Sequence, residues 1–379
     1  MRLTYIANAR IPTEKANGYQ IMKMCEGFAS IGVSVTLIVP TKRNQIKEDP
    51  FSFYELKKNF EIKRIRSFDF VGFFPFFGRI SFWLQNIFFN IAIFFFRVPK
   101  ESVIYTRSGS IAFIFRLRGR KVFFESHRIL NSAWVYKLFF GKEVKIISLT
   151  QAAKNDYIKL GVPSENIIVA PDGVDLSVFD IDISKEEARQ KFNLPQDKKI
   201  ISYFGSFRTM GKDKGVLDVI KAQKNLPDDV LFLAVGGLNG EVFEYQKEAQ
   251  KIVGKERFIF KNPVSRSDLA IYQKSSDILL MPFPWNKHFA YYASALKMFE
   301  YMAGKRPIVA TDLPSSREIL DESNSIIVPP GNSEKLAEAI KDLLNNPYKA
   351  EKLSERAYEK VKNYTWSKRA QKIVDFFNL

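Results

Sequence analysis

"DILLMP", residues 277–282, and "SALKMFEYMAGKRPIVAT", residues 294–311, read together as strand, turn, helix, stop and strand. Both strand runs are short and continuously apolar, without the alternation of a half-exposed strand. A strand that is apolar on both faces belongs to a parallel sheet covered by helices on each side. Within the helix, Glu300 stands among Met298, Phe299, Tyr301, Met302 and Ala303. A carboxylate is seldom fully buried there without a partner.

The same rhythm extends in both directions. Downstream and upstream in the second half, residues 199–205, 230–237, 257–260, 307–311 and 325–330 read as buried strands with helices between most of them. In the first half the strands are expected at 2–6, 33–39, 60–65, 102–106, 121–125 and 144–149. Between the first two, Ile21, Met24, Cys25 and Phe28 recur at helical spacing. Residues 178–198 are charged and strandless, and read as a linker. The expected fold class is α/β, with two doubly wound Rossmann-like domains facing a central cleft. The boundaries are 1–178, with a C-terminal helix at 365–379 packing back on it, and 179–364.

A chain of 379 residues suits two such domains. The single Cys25 excludes an internal disulfide framework, and with only His127 and His288 a zinc site is not expected. The first residues lack the apolar core of a signal peptide, so a cytoplasmic setting is expected. Of the net charge of +17, +12 falls within residues 1–178, with basic clusters at 57–66 and 116–121. Anionic membrane, nucleic acid and phosphorylated small molecules all suit such a half, and charge alone does not choose. Twelve of the 35 phenylalanines lie within residues 68–96. On a helix from Arg79 to Arg97, those two arginines with Asn86 and Asn90 form one narrow polar stripe, and the other faces are aromatic and aliphatic. The surplus of apolar surface predicts docking on anionic lipid without crossing it; a helix buried in the domain is the alternative.

In open α/β sheets, ligands bind at the carboxyl ends of the strands. The loop "GSFRTMGKDKG", 205–215, leaves one such end, with Gly205 and Gly211 for close approach and Arg208 and Lys214 for phosphate oxygens. Tyr292, Ser294 and Ala295 precede another helix N-terminus, with Lys297 beside it and Glu300 deeper. Glu300 can accept hydrogen bonds from a ribose diol, or it can pair with a nearby lysine or arginine.

Five segments occur in order: "VAPDGVDLSVF" (169–179), "ISYFGSF" with "KDKGV" (201–216), "VSRSDLAIYQKSSDILLMP" (264–282), "SALKMFEYMAGKRPIVATDLPSSREIL" (294–320) and "YTWSKRAQKI" (364–373). Together they resemble the retaining GT-B glycosyltransferases of family 4, the group 1 type. The resemblance implies transfer from a nucleotide-sugar to a glycan or lipid-linked acceptor, with retention, no protein nucleophile, no cofactor and no metal. It assigns Glu300 to the ribose, Lys214 to the diphosphate, Ser294, Ala295 and Leu296 to phosphate and sugar, and Val264 to the base. In "FFESHRI" (123–129) it places His127 near the transferred sugar, and it puts Gly18 in a first strand–helix loop approaching donor and acceptor. Two departures stand out. Tyr292 occupies the place of a second glutamate, and Ser206 that of an arginine for which Arg208 would substitute. A dehydrogenase lacks its G-x-G-x-x-G in residues 7–18, and no nucleic-acid signature accompanies the charge. A sugar-nucleotide epimerase or a binding protein without transfer activity remain open readings. The "DID" at 180–182 fits a metal pattern only by its spacing.

Overall fold

The computed structural model describes residues 1–127, 144–209, 211–238 and 240–378. They divide into two compact units: residues 1–171 with the terminal helix Trp366–Asn378, and residues 172–365.

Among the described residues the first unit holds a seven-stranded sheet: β1 (Arg2–Ile6), β2 (Ser34–Pro40), β3 (Glu61–Ile65), β4 (Val103–Thr106), β5 (Val122–Ser126), β6 (Val144–Ser148) and β7 (Ile167–Val169). The order is β3-β2-β1-β4-β5-β6-β7, every neighbour parallel. The helix Ala16–Ser30 buries Ile21, Met24, Cys25 and Phe28, the residues whose spacing marks it as amphipathic. Each such fully buried side chain contributes about 1.5–3 kcal/mol.

The second unit begins its sheet at β8 (Lys199–Phe204), followed by a small hairpin of β9 (Arg208–Thr209) and β10 (Lys212–Asp213). The sheet continues with β11 (Val230–Val235), β12 (Phe258–Lys261), β13 (Ile278–Met281), β14 (Ile308–Thr311) and β15 (Ile326–Val328). Its order, β12-β11-β8-β13-β14-β15, is again parallel throughout and reverses direction between β8 and β13. Strands with side chains buried on both faces explain the continuous apolar runs.

Residues 178–198 are not a linker. Phe179 and Leu194 belong to the second unit's core. Ser184 and Glu187 close a capping box on the helix Lys185–Lys191. Arg189 is buried and bonds the carbonyls of Ser275, Gln196 and Lys198 and the carboxylate of Asp277. Charge concealed a folded segment. The crossing into the second unit comes at Asp172 rather than near 178, because Val174 bridges to Thr365.

The helix Arg79–Phe95 packs Phe89 and Ile93 into the first unit's core and leaves a second apolar face exposed. It buries Ser81, Gln85, Phe89 and Ile93, and leaves Phe82, Trp83, Ile91, Phe94 and Phe95 exposed. Ser81 Oγ donates to the Phe74 carbonyl and Gln85 Oε1 accepts from the Val71 N–H, so the buried polar groups are satisfied. Among the described residues no helix is long and apolar enough to cross a membrane.

Candidate functional site

The order reversal between β8 and β13 brings two loops to the carboxyl edge of the second unit's sheet. The first leaves β8 through Gly205, whose φ of +116° is open to glycine and strained for other residues. A Cβ on Gly205 would also lie 3.3 Å from Lys297 Nζ. The second loop leads from β13 into the helix Leu296–Ala303. It is fixed by stacking of Phe283 on Phe289, with ring centroids 4.7 Å apart. The Thr311 hydroxyl donates to the Phe283 carbonyl at 2.8 Å, and the Ser315 hydroxyl donates to that of Phe289 at 2.5 Å.

Two lysines meet here. Lys297, in the first turn of its helix, is buried with Nζ 3.4 Å from the centroid of the Tyr203 ring and 5.2 Å from that of Phe283. Among the described residues it has no hydrogen-bond acceptor. Lys214 Nζ donates to Ser206 Oγ at 3.1 Å and lies 6.0 Å from the same Phe283 ring. Burial pushes Lys214 down to about 8, with Glu241 opposing. Burial holds Lys297 well below the ordinary lysine range; Lys214 adds to this and Glu300 opposes it. Two lysine side chains thus converge on aromatic faces, with no carboxylate among the described residues in contact with either, beside a helix N-terminus that none of their side chains caps. Such a place is complementary to a multiply charged anion.

Glu300 is buried, and Arg266 donates to its carboxylate, so the pairing anticipated as an alternative is present. Arg266 starts the helix Arg266–Lys274 two residues after Val264, which lies half-buried beyond β12. Ser294 Oγ accepts the N–H of Asp172 at 2.8 Å, so the hydroxyl ties residue 172 to the helix entry. Ala295 immediately precedes that helix and Leu296 opens it, both half-buried. Tyr292 closes the short helical segment His288–Tyr292, with Lys287 Nζ 6.0 Å from its ring centroid.

Arg208 does not join the lysines. Its guanidinium is 2.5 Å from Glu244 Oε2 and 5.3 Å from the Tyr245 ring centroid. The cation beside Lys214 is Lys297 instead.

His127 and Gly18 lie in the first unit. His127 directly follows β5, its Nε2 2.6 Å from Glu125 Oε1. Burial pushes His127 down to about 4, Arg107 reinforcing this and Glu125 opposing, so the ring is neutral at pH 7. Burial alone would raise the Glu125 carboxyl; Arg369, at 2.8 Å, together with His127 and Arg107 holds it well below the usual range. Gly18 lies within the helix Ala16–Ser30 rather than in the loop before it. A Cβ there would sit 2.2 Å from the Tyr54 hydroxyl, so tight packing against Tyr54 requires glycine. The residues unseen in the sequence are Tyr203, Phe283, Arg266, Glu125 and Arg369. An aromatic two residues before the strand-end glycine was the one available signal, for Tyr203.

Among the described residues no cluster of three or more His, Cys, Asp or Glu side chains is arranged to hold a metal ion. Asp180 of the "DID" triplet bonds Lys305, at 2.5 Å, and Tyr358.

The two parallel, doubly wound units have the GT-B fold of the solved structures on which the chain superimposes. Residues 184–360, nearly the whole of the second unit, match the family model for glycosyl transferases group 1. A phosphatidyl-myo-inositol mannosyltransferase from Mycobacterium leprae is 29% identical over 206 residues, 54% of this chain and 51% of that protein. The chain spans about half the length of the curated relatives it matches. Sucrose-phosphate synthase from Thermosynechococcus elongatus superimposes with a TM-score of 0.76 at 19% identity, covering 100% of this chain and 98% of that one. HepE from Anabaena, in complex with UDP-glucose, gives 0.71 at 15% identity, over 100% and 99%. At these identities the structures share the fold.

Proposed function

We propose that this protein is a retaining glycosyltransferase of the family 4 type, moving a sugar from a nucleotide-sugar to a hydroxyl of a glycan or lipid-linked acceptor. The observation that carries this reading is the convergence of Lys214 and the acceptor-less Lys297 at the carboxyl ends of β8 and β13. Glycosyl transfer leaves a diphosphate, and preorganised cations stabilise the charge that develops on it. Lys214, Lys297 and the amides of Ala295 and Leu296 supply that stabilisation without a metal or cofactor. Glu300, held by Arg266, takes the ribose hydroxyls, and the backbone at Val264 takes the base. The sugar side lacks a carboxylate at Tyr292, so neutral contacts recognise it. His127, neutral, offers its Nδ1 as an acceptor when Nε2–H is held by Glu125. The complex of HepE with UDP-glucose supports a nucleotide-sugar on this fold.

The acceptor is membrane-borne in this reading, consistent with a relative named for a phosphatidyl-inositol substrate. The first unit docks peripherally on the cytoplasmic, anionic membrane face through the aromatic helix. Phe76, Trp83 and Phe95 are 75%, 70% and 77% exposed. Cations flank them: Arg43 lies 5.8 Å from the Phe73 ring centroid and Arg118 bonds the carbonyls of Phe94 and Phe96. An exposed aromatic face flanked by cations suits an interface. Nucleic acid is not part of this reading.

A thermal-shift screen with UDP-, GDP-, ADP- and dTDP-sugars, followed by product analysis with and without acceptor, tests the reading. Stabilisation by a nucleotide-sugar and donor hydrolysis or transfer support it. Isomerised donor without transfer would indicate the epimerase instead.

A further inference from the structure

The edge of the second unit's sheet opposite Lys214 and Lys297 holds a cavity of its own. Strands β8, β13 and β14 are neighbours, so their amino ends lie within about 10 Å of one another. A cavity of about 540 Å³ opens beside them, walled on its other side by the helices Ser333–Asn345 and Pro347–Val361. That volume is within the range of roughly 300–1,000 Å³ typical of small-molecule sites.

The strand side is cationic. Lys199 opens β8, Arg306 precedes β14 by two residues, and Lys185 and Lys305 complete the wall. Lys199 and Lys305 are exposed and Lys185 and Arg306 half-buried, so each offers surface to a ligand. Asp277, the carboxylate on this side, is already engaged by Arg189 at 2.7 Å, the Ile200 N–H at 2.7 Å and Lys185 at 2.9 Å. Lys305 pairs with Asp180. Arg306 donates through Nε and Nη2 to the Lys274 carbonyl, at 3.2 and 2.6 Å, and no carboxylate among the described residues contacts it. Burial lowers the Arg306 guanidinium below its ordinary range, with Asp277 opposing. Lys199 Nζ also lacks an ion-pair partner among the described residues.

The helix side is different. Leu343, Leu344, Pro347 and Ala350 make it apolar, and Glu351 and Glu355 stand one turn apart on it, exposed. Neither glutamate has an ion-pair partner among the described residues. A guanidinium fork with an ammonium nearby matches a phosphate, and a pair of carboxylates requires hydroxyl or amine donors. A sugar monophosphate carries both at opposite ends.

Arg306 also ties this cavity to the helices that hold Glu300. The helix Arg266–Lys274 starts at Arg266, which donates to Glu300, and ends at Lys274, whose carbonyl takes Arg306. The helix Leu296–Ala303 carries Lys297 and Glu300 and ends three residues before Arg306. One guanidinium therefore clasps the far ends of two helices whose near ends meet at Glu300, and the two edges of the sheet share a mechanical element.

We propose that the amino edge of the second unit's sheet binds a sugar monophosphate, its phosphate on Arg306 and Lys199 and its hydroxyl or amine donors on Glu351 and Glu355, and that occupancy is felt at Glu300 through Arg306. The site stands on this unit alone; its linkage to nucleotide binding rests on the transfer reading above.

Calorimetric titration of the full chain with glucose 6-phosphate and with glucosamine 6-phosphate tests the proposal, with inorganic phosphate and glucose as comparison arms. At least one sugar phosphate is expected to bind more tightly than either comparison, and to bind Lys297→Met as it binds the wild type. Arg306→Gln is expected to weaken it about tenfold, the loss of one charge-assisted hydrogen bond. Lys199→Ala, an exposed change that leaves the melting temperature in place, is expected to weaken it severalfold and decides the matter if Arg306→Gln does not fold. Glu351→Ala with Glu355→Ala should erase the preference over inorganic phosphate. No saturable binding of either sugar phosphate, or binding unchanged in Lys199→Ala and Arg306→Gln, overturns the proposal. Binding lost in Lys297→Met and kept in Arg306→Gln overturns it too, because the probe then sits at the opposite edge. UDP titrated with and without saturating sugar phosphate reads the linkage: affinity should shift by a constant factor, and an unmoved affinity removes the linkage while keeping the site. Absence of UDP binding in both conditions counts against the transfer reading alone, so the two failures are distinguishable.

Discussion

Lys297 Nζ sits 3.4 Å from the centroid of the Tyr203 ring and has no hydrogen-bond acceptor among the described residues. The ring face offers a cation about 2 kcal/mol when both are desolvated, less than burial of an unpaired charge costs. The free protein therefore holds this lysine at a loss, its amine pushed toward the neutral form. Lys297→Met, which fills the same space without a charge, is expected to raise the melting temperature of the ligand-free protein. Scanning calorimetry checks it, and a lower melting temperature would mean that the lysine is a net structural contact.

Proton linkage provides a second expectation. The Lys214 value of about 8 lies below that of an unfolded lysine, so the unfolded chain binds more protons between about pH 8 and 10.4. Stability rises with pH across that window as far as this group is concerned, and the contribution is lost as pH falls through 8. Diphosphate binding runs the other way, because it favours the charged lysine. Affinity for UDP should fall as pH rises above 8, with proton uptake on binding in buffers of differing ionisation enthalpy. Affinity unchanged between pH 7 and 9.5 would separate Lys214 from the ligand.

Glu300→Gln should weaken both nucleotide binding and the fold. The variant leaves the guanidinium of Arg266, largely covered, without its carboxylate. Roughly 1–3 kcal/mol of stability is expected to go. Arg266→Met combined with Glu300→Gln should recover stability without recovering nucleotide affinity. If the double variant binds as the wild type does, Glu300 is only an ion-pair partner.

Replacing Trp83 and Phe95 with serine should leave the melting temperature nearly unchanged, because both side chains are mostly exposed. Sedimentation with phosphatidylglycerol-containing liposomes at low salt should drop severalfold, while neutral liposomes bind weakly throughout. Equal sedimentation of variant and wild type would remove the aromatic helix from the membrane reading.

The parallel sheets were legible because their strands are apolar on both faces, and each expected strand is present to within a few residues. β7 and the β9–β10 hairpin are too short to show a period. Residues 178–198 misled for a physical reason: the buried Arg189 satisfies its charge through carbonyls and Asp277, partners distant in sequence. At the site, Lys214 and Lys297 could be read from strand ends and helix starts. Their convergence on Phe283 could not, nor could the pairing of Arg266 with Glu300, since both depend on long-range packing. Arg208 drew attention by its position in a basic loop, but Glu244 holds it through a contact that spans the hairpin and the helix Glu241–Val253. The polar seam through Asn86 and Asn90 was visible as a stripe, although its links to Asn8 and Ser110 were not.

The central claim is that Lys214 and Lys297 together receive the diphosphate of a nucleotide-sugar. Isothermal titration of the wild type, Lys214→Ala and Lys297→Met with UDP, GDP, ADP and dTDP tests it most directly. At least one nucleoside diphosphate should bind the wild type, and each variant should bind it at least tenfold more weakly, a loss of about 1.4 kcal/mol or more. Binding of equal strength in all three proteins, or no binding of any of the four to the wild type, would contradict it.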